Sequence, residues 1–137
     1  MGLIVYNRTI ESHSSDKNNY RIFRPSILGN PYTHLPVDKT KAIYQVKSRD
    51  EAVENYSKYF DIMYRSNLKF KAAVDEIYEK YKSGETIWLE CYCHPQRCHG
   101  DIIKEKLEKR LIKERFQEIK AKKNKDDTVG QHNEALD

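Results

Sequence analysis

The chain has 137 residues, 34% charged and 38% apolar, with a formal net charge of +4; that is enough for one domain with a real core, too little for two, and too ordinary for a fibrous or low-complexity protein. No apolar run approaches the ~20 residues of a membrane helix, and the start MGLIVYNR has no basic region with a long apolar stretch, so the reading is a cytoplasmic protein without an export signal or a membrane span. Ten Lys or Arg against five Asp or Glu between Asp101 and Lys125 give that stretch +5 and leave −1 for the remainder, a distribution that argues against a general nucleic-acid binder, which needs a dense basic footprint.

GLIVYNR, Gly2 to Arg8, is a short apolar run that reads as a buried strand. ESHSSDKNN is polar and turn-rich, hence a loop, and YRIF, Tyr20 to Phe23, reads as a second strand closed by Pro25. In RPSILGNPY, two prolines and a Gly-Asn pair specify a definite backbone path, because Pro pins φ and Gly-Asn tolerates positive φ. A shaped ligand loop and a plain connecting turn are equally compatible with that composition.

A short strand is expected at Ile43 to Val46. Ser48 with Glu51 three residues later forms a capping box that starts a helix, with Ala52, Val53, Tyr56, Tyr59, Phe60 and Met63 on its inner stripe. Asn67 caps a second helix with Phe70, Ala73, Val74, Ile77, Tyr78 and Tyr81 inward and Gly84 as its stop. ETIWLECYC, Glu85 to Cys93, alternates as a strand with Ile87, Leu89, Cys91 and Cys93 on one face. From Asp101 a long helix follows, inward at Ile102, Ile103, Leu107, Leu111, Ile112, Phe116 and Ile119. It is expected to end near Ala121, so the domain spans 1–121 and 122–137 reads as a disordered tail. A helix of that length outreaches a small sheet, so its far end projects or meets a second chain, either a further copy or a host protein.

The chemistry concentrates in CHPQRCHG, where a strand's C-terminal end meets a helix N-terminus. In open α/β sheets that edge favours anions, through free amides and the helix dipole. The amides of Cys98 to Gly100 are expected to cradle an anion, Gly100 to let it approach the backbone and Arg97 to add charge. Cys98 is expected to have a lowered pKa. Asp101 would repel an anion unless it accepts from ligand hydroxyls, and a ribose phosphate satisfies both demands.

Three cysteines without an export signal argue for reduced thiols. Zinc on Cys91, Cys93, Cys98 and His99, or His94, is the alternative cofactor reading; the spacing weakens it, because same-face strand residues lie about 6.6–6.8 Å apart and zinc knuckles use Cys-x-x-Cys. Cys91 packs as a small apolar residue. An enzyme reading takes Cys98 or His99 as the reacting group with Asp101 assisting, in hydrolysis or transfer at a nucleotide glycosidic or phosphate bond.

RPSILGNPYTH, SRDEAVENY and LECYCHPQRCHGDII, in this order, resemble the family known as domain of unknown function 4326, found in phages and bacteria, over roughly Val5 to Leu107. The string C-x-C-x-P-x-x-C-H-G-D, here Cys91, Cys93, Pro95, Cys98, His99, Gly100 and Asp101, is its specific part. A weaker likeness links it to family 488 of the same series. The resemblance implies a small Rossmann-like α/β fold but no established reaction, and the C-terminal portion of the long helix lies outside it; with the elements read above, the expected architecture is a short, mostly parallel sheet flanked by helices with a long C-terminal helix.

The leading expectation is a nucleotide or ADP-ribose-like ligand held between Arg24, Ser26, Gly29 and Asn30 on one side and Cys93, Arg97, Cys98, His99, Gly100 and Asp101 on the other. Arg24 would pair with a phosphate and Asp101 would accept from a sugar hydroxyl. In a phage setting, such a protein would sequester a host immune signal. The rival is an interaction protein with a structural zinc or a plain core and a partner-binding C-terminal helix.

Overall fold

Apolar strands with polar loops between them produce an α/β structure in the computed structural model, which describes residues 2–40 and 42–131, excluding the side chains of Lys39 and of residues 124–131. The strands are β1 (Gly2–Asn7), β2 (Asn19–Arg21), β3 (Tyr32–Thr33), β4 (Tyr44–Gln45) and β5 (Thr86–Cys91); the helices are α1 (Arg49–Ser66), α2 (Leu68–Lys82) and α3 (His99–Gln131). β5 lies between β1 and β2 in a parallel sheet, with Val5 opposite Leu89 and Tyr20 also opposite Leu89. β3 and β4 form a separate parallel pair. The β3 pairing arises inside the proline-rich loop, where the sequence carries no strand pattern.

Alternation sets the faces of the sheet. Leu3, Val5, Ile87, Leu89 and Cys91 are buried on one side. There Tyr20 donates to Glu76 of α2 at 2.6 Å. On that face, too, the first turn of α3 lies against Val5 through Gly100. Tyr6, Trp88 and Glu90 face the other side, where the loop after β1 lays His13 over Trp88 with ring centroids 3.5 Å apart.

The helix starts follow the sequence closely. Glu51 N–H donates to Ser48 Oγ at 3.1 Å, while the Glu51 carboxylate accepts from Lys47 rather than from the cap residue itself. Asn67 closes α1 and caps α2 by accepting from the Phe70 amide at 3.0 Å. Ala52, Val53, Tyr56 and Phe60 of α1 and Phe70, Val74, Ile77 and Tyr78 of α2 are buried, so both amphipathic stripes are where the 3.6-residue period puts them.

The chain divides into two units, Met1–Glu105 and Lys106–Asp137. In the second, α3 runs on to Gln131, past the end expected at 121. Residues 132–137 of the expected tail lie outside the described residues. Ile112, Phe116 and Ile119, read as inward, are exposed. No helix among the described residues is long and apolar enough to cross a membrane.

Candidate functional site

The Arg24 to Asn30 loop and the Cys93 to His99 segment face one another. Both line one cleft of about 300 Å³, whose walls include Arg24, Asn30, Cys91, Cys93, Arg97, Cys98 and His99. Arg49, Ala52 and Val53 of α1 close it, and Phe23, Tyr32, His34 and Tyr92 contribute rings. Of these, the sequence reading missed Arg49 and the four rings; they stand on separate elements, and no local spacing joins them.

Each loop is tied down by side-chain hydrogen bonds to its backbone, buried ones in the Arg24 to Asn30 loop and more exposed ones in the other. Asn30 donates to the Ala52 carbonyl at 3.1 Å and accepts from the Tyr32 amide at 2.9 Å. Tyr56 donates to the Leu28 carbonyl at 2.7 Å. Asn7 at the end of β1 holds the other loop through the carbonyls of Tyr92 and His94, both at 3.0 Å. The Arg24–Pro25 and His94–Pro95 peptide bonds are cis.

Arg24 is the central charge. Its Nη1 donates to the carbonyls of Asn30 at 2.6 Å and Tyr32 at 3.4 Å, and burial pushes the guanidinium below its ordinary value. No carboxylate among the described residues pairs with Arg24 or with Arg49, whereas Arg97 is bound to Glu54 at 2.7 Å and Asp50 at 3.6 Å. No Asp or Glu among the described residues lines the cleft. The charge that Arg97 was expected to add is therefore largely countered by its own helix partners.

The helix N-terminus differs from the expectation. The Cys98 amide donates to the Asp101 carboxylate at 3.1 Å. One of the three amides expected to cradle an anion, that of Cys98, is thus occupied by the protein's own side chain, as in the carboxylate half of a capping box. Asp101 is a cap outside the cleft lining. Gly100 faces the sheet: a Cβ there would stand 2.8 Å from Ile22 Cδ1 and 3.0 Å from Val5 Cγ1, so its missing side chain serves helix–sheet packing. Ser26 and Gly29 shape the loop and do not line the cleft; Ser26 Oγ accepts from the Leu28 amide at 3.1 Å. A Cβ on Gly29 would meet the Ser26 carbonyl oxygen at 3.0 Å.

Cys98 donates to Cys91, with the sulfurs 3.8 Å apart. That bond lowers Cys91 to about 6, helped by the amides of His94 and Cys93, and together with burial raises Cys98. The sequence assigned a lowered pKa to Cys98; the pairing with Cys91 and burial push it up instead. Burial takes the His99 imidazole down to about 4, and its Nε2 meets the Ile22 carbonyl at 2.5 Å. A neutral ring with Nε2–H donating fits that partner. No hydrogen bond joins Cys98 to His99, so the two do not form a nucleophile–base pair. Cys93 lies beyond the end of β5 and is half-buried. Among the described residues no group of His, Cys, Asp and Glu is arranged to hold a metal ion, and the His99–Ile22 bond accounts for one ring nitrogen of the alternative zinc set.

A family model described as "Domain of unknown function" (DUF4326) matches residues 6–109. No curated protein and no solved structure matches the chain.

Proposed function

The chain belongs to the DUF4326 family, and from that premise we propose that it binds a nucleotide or nucleotide-derived ligand in the cleft between the arginine-proline loop and the start of α3. One observation carries the reading: Arg24 and Arg49, neither with a carboxylate partner among the described residues, line a cleft whose described walls hold no acid and several aromatic rings. Guanidinium forks suit phosphate oxygens, and low surrounding dielectric strengthens the attraction. Flat rings offer faces for a base. The anion is held by these side chains rather than by helix amides. In a phage-encoded member acting in the host cytoplasm, such binding withdraws a host immune signal.

Binding is favoured over turnover because Cys98 is held protonated and His99 is engaged with the backbone. Calorimetry with nucleotides and ADP-ribose derivatives tests the proposal. Binding by one of them, weakened at least tenfold by Arg24→Ala or Arg49→Ala, is the expected result. Failure of a folded protein to bind any of them overturns it.

A second reading, a partner-binding role for α3, is favoured by the exposed stripe of Ile112, Phe116 and Ile119. Truncation after Leu107 that loses a protein partner while retaining ligand binding supports it; unchanged partner binding removes it.

A further inference from the structure

We propose that the cleft takes a single nucleoside phosphate whose base lies against Tyr92 and Phe23, and that Arg8, which is not among the cleft-lining residues, positions those two rings. This rests on the ligand reading above and adds which end of the ligand goes where.

Tyr92 follows β5 and Phe23 follows β2, so the adjacent parallel strands deliver both rings to the same sheet edge. Their centroids are 4.8 Å apart at an interplanar angle of 69°. Both rings line the cleft, and Tyr92 is 54% exposed. A large aromatic left half in water, in a cleft whose two guanidiniums have no carboxylate partner among the described residues, is a surface for another flat group.

The rings are not free to choose their orientation. The Arg8 guanidinium carbon lies 5.1 Å from the Phe23 centroid and 5.3 Å from that of Tyr92, within cation–π range of both. Its Nη1 donates to Tyr92 Oη at 3.2 Å. Behind it, Nε sits 3.2 Å from Glu90 Oε2, and Glu90 is 2% exposed in the central strand. Asn19 donates to the same carboxylate at 2.8 Å. The Arg8 amide is fixed to the Cys91 carbonyl at 2.9 Å. A buried carboxylate thus holds a cation, and the cation holds two rings of the cleft lining.

The polarity of the ligand follows. Arg24 and Arg49 take the phosphate, and the opposite chemistry, flat and uncharged, belongs at Tyr92 and Phe23. About 300 Å³ lies at the floor of the range for small-molecule sites, roughly 300–1,000 Å³, which suits one nucleoside phosphate better than a dinucleotide.

The test is calorimetry on the full chain with AMP, ribose 5-phosphate and inorganic pyrophosphate. AMP is expected to bind about tenfold more tightly than ribose 5-phosphate, the order of effect that stacking one base gives. Tyr92→Ala and Arg8→Gln are each expected to remove that margin while leaving ribose 5-phosphate affinity unchanged; Tyr92→Phe keeps most of it. Circular dichroism checks the fold of each variant, and Arg8→Lys, which keeps the pairing with Glu90 without a planar guanidinium, is expected to recover only part of the margin. Equal affinity for AMP and ribose 5-phosphate, or a Tyr92→Ala loss that falls equally on both, overturns the base site while leaving anion binding in place. An Arg8→Gln variant that discriminates like the parent overturns the positioning role. Absence of binding by all three probes and by the wider panel overturns the ligand reading itself.

Discussion

Cys98 donates its thiol hydrogen to Cys91 across 3.8 Å, joining the first turn of α3 to the end of the central strand. The donation stabilises charge on Cys91 and keeps Cys98 protonated. The ultraviolet thiolate absorbance of the folded protein is therefore expected to show a step near pH 6. In Cys98→Ala the step moves up towards the ordinary thiol range, because the largest lowering cause is gone. A step that stays near its original pH would show that the pairing does not govern the titration.

His99 supplies a second pH dependence. Its folded pKa of about 4 lies below the ordinary 6.5, so between those values the unfolded chain binds the extra proton. The stability it contributes is fully present above pH 6.5 and is lost as pH falls through 4. The shift corresponds to about 3 kcal/mol. Urea unfolding at pH 7 and pH 4.5 should show this loss, and His99→Gln should flatten that part of the profile. A profile equally steep in the variant would assign the loss to other groups.

Gly100→Ala separates packing from ligand approach. Alanine in a helix interior is ordinarily favoured over glycine by about 1 kcal/mol. Here the added methyl would press on Ile22 and Val5 at 2.8 and 3.0 Å, so thermal unfolding is expected to show a net loss of about 1–3 kcal/mol. A variant as stable as the parent would mean the sheet yields to the methyl group.

Tyr56→Phe tests the tie between α1 and the arginine-proline loop. The substitution leaves the Leu28 carbonyl without the donor that stands 2.7 Å away, at a cost of about 1–3 kcal/mol for an unpaired buried acceptor. The denaturant midpoint should fall with an unchanged slope. No fall would mean that water replaces the hydroxyl.

Much of this architecture was legible residue by residue. The caps at Ser48 and Asn67 and the stripes from Ala52 to Phe60 and Phe70 to Tyr78 are local signals, set by hydrogen-bond geometry and the helical period. The alternation in TIWLEC likewise assigned Ile87, Leu89 and Cys91 to the core. At the helix start, local reasoning placed the right residues but gave Asp101 and Gly100 the wrong neighbours: an acid in the first turn suits both a cap and a ligand contact, and a glycine suits both close packing and close approach. Only the position of Val5 and Ile22 beneath Gly100 decides between them.

By itself, the chain's sequence determined the α/β class, the helix starts, the family motif and the two loops worth watching, because each depends on residues close together in the chain. Tertiary structure decided what those loops face. Parallel pairing of β1 and β2 on either side of β5 brought Arg8, Phe23 and Tyr92 together, and the placement of α1 brought Arg49 into the same cleft lining as the two rings. Such meetings depend on strand order and on packing between distant segments, and no periodicity within one segment encodes them.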